Sequence, residues 1–120
     1  MPKKILVVDD EPDVLKMVIF RLKKLDCEIH VAVDGREAWE KAQQIKPDLI
    51  LLDLRLPFMD GTEVCRRVKA DAGLKHIPVI LLSASADALA ERATPCNADT
   101  YLLKPFDTDE LLNTVNKFLS

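Results

Sequence analysis

Apolar positions along the chain switch repeatedly between two spacings. Ile5-Leu6-Val7-Val8 is an unbroken apolar run closed by Asp9-Asp10, the pattern of a short strand covered on both faces. From Asp13 to about Leu25 the period lengthens, and Leu15, Val18, Leu22 and Leu25 fall on one face of a helix. Glu28 to Val33 reads as a weaker strand nearer an edge. Gly35 to Ile45 is helical, and Pro47 stops it. Asp48 to Leu52 is a third, strongly apolar strand that runs into Asp53. After the turn Pro57-Phe58-Met59-Asp60-Gly61 a helix extends to about Ala70. Pro78 opens the strand Val79 to Leu82, which ends at Ser83. A helix from about Ala86 to Ala93 is cut by Pro95. Thr100 to Leu103 is a short strand before Lys104-Pro105, and Asp107 is placed to N-cap a last helix through about Phe118.

Five strands therefore alternate with five helices. Such alternation predicts parallel strands joined by right-handed crossovers, with helices on both faces: a small doubly wound α/β domain. Chemistry in such sheets belongs beyond the carboxyl ends of the strands. The residues there are Asp9-Asp10, Asp53, Ser83-Ala84 and Lys104-Pro105. Carboxylates brought together repel one another and stay ionised near neutral pH only with a cation between them. Hard oxygen donors without Cys or His suit Mg²⁺, which keeps several waters and often bridges to phosphate. A lysine opposite the metal and a serine hydroxyl complete a set suited to a phosphoryl group. Asp53, alone at its strand end, is the candidate covalent acceptor.

Composition narrows the picture. The chain has 120 residues, 48% of them hydrophobic, enough for one cored domain over residues 1–120. Lys and Arg number 17 against 20 Asp and Glu, a net charge of −3 that argues against broad contact with a nucleic-acid backbone. No apolar run approaches the ~20 residues that would span a bilayer, and the amino end does not read as a secretory signal. A cytoplasmic address is expected. Cys27, Cys65 and Cys96 are widely spaced and lack a C-x-x-C, so they read as three small, separate thiols rather than a disulfide framework or zinc site. His30 and His76 read as surface or strand-end residues.

The motifs Ile5-Leu6-Val7-Val8-Asp9-Asp10-Glu11, Asp48-Leu49-Ile50-Leu51-Leu52-Asp53, Leu56-Pro57-Phe58-Met59-Asp60-Gly61, Pro78-Val79-Ile80-Leu81-Leu82-Ser83-Ala84 and Ala98 through Phe106, in this order and spacing, resemble a response-regulator receiver domain. The resemblance runs from Lys4 to about Leu119. It implies a flavodoxin-like sheet of strand order 2-1-3-4-5. It also implies that Asp53 accepts a phosphoryl group from a histidine kinase or histidine phosphotransfer protein. Asp10, Asp53 and the backbone carbonyl of Arg55 would ligate Mg²⁺, with Asp9 acting mainly through a coordinated water. Ser83 and Lys104 would bind phosphoryl oxygens, and Tyr101 would report the switch with Ser83. Arg55 and Ser85 would tune the lifetime of the adduct, which eventually hydrolyses at the same site. A cis bond is implied at Lys104-Pro105. Signalling would pass to an output domain or protein, without direct nucleic-acid or membrane contact.

Two departures stand out. Asn97 replaces the usual glycine, a residue that tolerates a left-handed backbone. Pro95 should end the fourth helix early and push Thr94 toward extended geometry. In the first helix, Met17, Ile19 and Phe20 lie off the apolar stripe, which reads either as wide burial or as an exposed patch for docking a helical-bundle donor. Trp39 is expected against the sheet. A flavodoxin-like electron carrier is the rival function of the same shape, but Asp9-Asp10-Glu11-Pro12 would repel a phosphate lacking a cation. An inactive binding module is a further alternative, disfavoured by the full set Asp10, Asp53, Ser83 and Lys104.

Overall fold

The computed structural model describes residues 2–93 and 95–119. The elements are β1 (Lys3–Val8), α1 (Pro12–Leu22), β2 (Cys27–Ala32), α2 (Gly35–Ile45), β3 (Leu49–Asp53), α3 (Gly61–Ala70), β4 (Val79–Ser83), α4 (Ala86–Arg92), β5 (Thr100–Leu103) and α5 (Thr108–Leu119). The strands form one parallel sheet in the order β2-β1-β3-β4-β5, the doubly wound arrangement that the alternation predicts.

Successive strand residues point to opposite faces, so each apolar run supplies two layers at once. Ile5, Val7, Leu49, Leu51, Ile80 and Leu82 pack with Leu15, Val18 and Leu22 of α1 and Leu111 and Val115 of α5. Leu6, Val8, Ile50, Leu52, Val79 and Leu81 face the other way, onto Ala38 and Ala42 of α2, Val64, Cys65 and Val68 of α3, and Leu89 of α4. Every residue of β3 and β4 is buried, and each fully buried leucine or isoleucine contributes about 1.5–3 kcal/mol.

Local signals set the helix ends. Pro12 opens α1, where its missing N–H costs nothing. The carboxylates of Asp34 and Asp107 accept from the backbone N–H of Glu37 at 2.8 Å and of Glu110 at 2.7 Å, capping α2 and α5. Ser85 caps α4, its hydroxyl accepting from Ala88 N–H at 3.1 Å. Gly61 begins α3 pressed against the end of β3: a Cβ there would lie 2.1 Å from the Asp53 carbonyl oxygen.

Some boundaries differ from the sequence reading. Helix α1 stops at Leu22, and the chain turns through backbone bonds from Lys24 to Arg21 and from Leu25 to Leu22. Helix α4 is only seven residues long, as Pro95 predicts, and Asn97 adopts φ 63°. Thr94, expected to be extended, lies outside the described residues. Phe20 is 71% exposed, so wide burial of α1 does not extend to it, although Met17 packs against the core. Trp39 is half-buried against its core layer, with the Arg67 guanidinium 5.9 Å from its ring.

Candidate functional site

The chain leaves β1 for β2 on one side and later returns through β3 on the other, so the strand order reverses between β1 and β3. Helices diverge there and leave a crevice above the strand ends. Asp9 and Asp10 follow β1, Asp53 ends β3, Ser83 ends β4 and Lys104 follows β5. Asp10, Glu11, Asp53, Arg55, Ser83, Ala84, Ser85 and Lys104 line a cleft of about 430 Å³.

Asp9 is fully buried at the floor. Its Oδ1 accepts from Glu11 N–H at 2.9 Å, and its Oδ2 accepts from the Lys104 ammonium at 2.8 Å. Asp53, 6% exposed, repeats the arrangement: Oδ1 accepts from Arg55 N–H at 3.1 Å and Oδ2 from the same ammonium at 3.1 Å. One lysine thus bridges two buried carboxylates from strands far apart in sequence. Its own backbone N–H donates to the Ser83 carbonyl at 2.8 Å, and the Lys104-Pro105 bond is cis. The Ser83 hydroxyl accepts from Ser85 N–H at 3.1 Å.

Burial pushes the Asp53 carboxyl above its ordinary pKa. The Arg55 N–H and the Lys104 charge oppose that shift, and the Asp9 charge adds to it. For Lys104, burial pulls downward, but the bond to Asp9 and the Asp53 charge outweigh it and the net direction is up. The lysine is favoured as the cation, while burial and Asp9 disfavour the ionised form of the Asp53 carboxyl. That imbalance is what a further cation would correct.

Carboxylate oxygens of Asp9, Asp10, Glu11 and Asp53 lie within 4.8 Å of one another. The donors are all hard oxygens, two buried and two exposed, which fits a magnesium ion reached from solvent and retaining waters. Glu11 was given no role from the sequence; its place as the third acid of an unbroken run was the available signal. Arg55 and Ser85 stand at the cleft, whereas Tyr101 lies outside it, half exposed on edge strand β5. Phe58 is a second residue that the sequence reading passed over. It is 78% exposed with φ 67°, and the Arg36 guanidinium lies 4.9 Å from its ring.

A family model described as response regulator receiver domain matches residues 5–116. The master transcriptional regulator RpaA of Synechocystis is 39% identical over 99% of this chain, and the chain spans 49% of that relative's length. Among solved structures, the chemotaxis response regulator CheY4 of Vibrio cholerae superposes with a TM-score of 0.91 at 32% identity, covering 99% of this chain and all of that one. The receiver domain of the Pseudomonas aeruginosa sensor histidine kinase PA1611, with magnesium coordinated in its active-site cleft, gives 0.92 at 28% identity over 99% and 98% of the two chains. Fold, cleft and comparisons agree: this chain belongs to the response-regulator receiver domains, the phosphoacceptor modules of two-component signalling.

Proposed function

We propose that Asp53 is the phosphoacceptor of this chain, which acts as a single receiver domain over residues 1–120. The observation that carries this reading is the convergence of Asp53, Lys104 and the acid cluster on one cleft at the β1/β3 reversal. An Asp53 carboxylate oxygen attacks phosphorus on a phosphohistidine of a histidine kinase or phosphotransfer protein. The O–P bond forms as the P–N bond breaks, and the imidazole leaves. Asp10, Asp53 and the Arg55 carbonyl would hold Mg²⁺ directly and Asp9 through a water. The ion supplies charge neutralisation between the acids and the transferring phosphoryl group.

Lys104, already 3.1 Å from Asp53, pairs with one phosphoryl oxygen, and the Ser83 hydroxyl donates to another. Drawing Ser83 inward leaves room that Tyr101 fills, biasing a two-state equilibrium of the β4–α4 loop and the α4–β5–α5 face toward an output domain or protein. Water attack on phosphorus later returns the Asp53 carboxylate and inorganic phosphate, so the domain dephosphorylates itself and has no other catalytic turnover. Arg55 and Ser85, at the cleft mouth, set that lifetime by controlling water access. Among the described residues no helix is long and apolar enough to cross a membrane. The proposed setting is the cytoplasm, with no direct nucleic-acid contact by this chain.

Intact-mass measurement after incubation with acetyl phosphate and Mg²⁺ tests the reading. Wild type is expected to gain one phosphoryl group and Asp53→Ala none. An adduct that survives in the variant overturns the assignment.

A further inference from the structure

The α3 region and the chain from the end of α4 to β5 are tied together at three levels. Nearest the cleft, the Arg92 guanidinium reaches Asp60, the residue before α3, at 3.3 Å. At the far end, the Lys69 ammonium meets Asp99 at 2.6 Å. Midway, the Cys65 thiol donates to the Cys96 carbonyl oxygen at 3.2 Å. Both thiols are buried in the same core layer, whereas Cys27 packs against the opposite one. Two cysteines 31 positions apart are therefore neighbours, the Cys65 sulfur against the Cys96 backbone, with one ion pair on either side of them.

The pair is chemically asymmetric. The neighbouring Cys65 side chain lowers the Cys96 thiol to about 7 against the effect of burial, with the Arg66 guanidinium assisting, while Cys96 and burial raise Cys65; the Cys96 thiol itself donates to the Ala93 carbonyl at 3.5 Å. Cys96 is thus the member of the pair biased toward the thiolate, the form that reacts with oxidants. Cys96, a residue only 1% exposed, also lines a surface cleft of about 220 Å³ with Thr62, Arg66, Glu91, Arg92 and Pro95, which gives a small oxidant an approach to it. A low-pKa thiol beside a resolving thiol is the arrangement of redox-sensing cysteines.

We propose that Cys65 and Cys96 are a hydroperoxide-sensitive dithiol that closes to an intramolecular disulfide between α3 and the α4–β5 connection. The Cys96 thiolate attacks the peroxide, the O–O bond breaks, and Cys96 becomes a sulfenic acid as hydroxide leaves. The Cys65 sulfur then attacks the Cys96 sulfur, the S–O bond breaks and water departs. Overall two thiols are oxidised and one hydrogen peroxide is reduced to two waters. A dithiol reductant reverses the step. The bond would hold the segment leading into Tyr101 fixed on α3.

The test is hydrogen peroxide treatment of the 120-residue chain, followed by intact mass and peptide mapping without reductant. The expected product has lost two hydrogens, contains the Cys65 peptide joined to the Cys96 peptide, and reverts with dithiothreitol. Cys27→Ser and Asp53→Ala should give the same product, which separates this inference from the phosphoacceptor assignment. Cys65→Ser should stop at a Cys96 sulfenic acid that dimedone captures. Because wild type alone decides the linkage, a folding defect in that variant does not remove the test. Linkage through Cys27, linkage between two chains, or an unchanged folded protein at peroxide doses that oxidise free cysteine would each overturn the proposal.

Discussion

At the amino-terminal rim of the sheet, Asp48 accepts the backbone N–H of Lys4 at 2.8 Å and Asp99 accepts that of Val79 at 2.8 Å. At the carboxyl-terminal rim, Asp9 and Asp53 take one loop N–H each, and their other oxygens share the Lys104 ammonium. The residue type is the same, and the difference follows from strand direction. In a parallel ladder an N–H at the start of a strand that lacks a strand partner needs an acceptor from outside the sheet. A carboxylate only accepts, so at the first rim it satisfies strand-start N–H groups, Asp99 also meeting the Lys69 ammonium, and the interaction is structural. At the second rim Asp9 and Asp53 crowd beside Asp10 and Glu11 and share a single ammonium, so the acids are left needing a further cation. An aspartate therefore gains meaning from the rim it occupies.

Removing Lys104 should separate the two rims most sharply. Lys104→Ala leaves Asp9 and Asp53 without their shared ammonium, and acetyl-phosphate labelling followed by mass should slow about 100-fold, the scale of losing one transition-state donor. Lys69→Ala, which removes the partner of Asp99 at the other rim, should leave that rate unchanged. Magnesium comes next. At 100 times its Kd it should add about 2.7 kcal/mol of stability, read as a rise in Tm. The rise should vanish in Asp10→Asn and persist in Asp48→Asn. Asp99→Ala should show the opposite profile, losing about 1–3 kcal/mol in denaturant titration because the Val79 N–H loses its acceptor, with labelling intact. The smallest effect asks whether the carboxyl-terminal rim extends onto α1 as a docking surface. Phe20→Ser should slow transfer from a phosphohistidine donor several-fold, leave acetyl-phosphate labelling unchanged and alter stability by no more than about 0.5 kcal/mol. Equal loss with both donors would show that Phe20 does not dock the donor.

Strands β1, β3 and β4 were legible because residues buried on both faces leave continuous apolar runs, and the strand-end residues could then be read as one rim. That reading anticipated Asp9, Asp10, Asp53, Ser83 and Lys104 at one cleft, and the short α4 that Pro95 imposes. What escaped it depends on packing between distant segments. Helical periodicity carried α1 to Leu25, but backbone bonds turn the chain at Leu22. An apolar Phe20 gave no sign of whether a neighbour would cover it. Ser85 looked like a cleft residue and is also the cap of α4. Cys65 and Cys96 looked unrelated because no local spacing joins them; only the docking of α3 on the α4–β5 connection makes them neighbours.

The missing side chain at Gly61 has a mechanical consequence. Contacts between side chains absorb small displacements by changing rotamer, but here the first residue of α3 rests directly on the carbonyl of Asp53, and its N–H donates to the Leu54 carbonyl at 2.9 Å. Backbone against backbone has no such slack. The end of β3 therefore bears directly on the first turn of α3, the helix whose later turns carry Cys65 and Lys69.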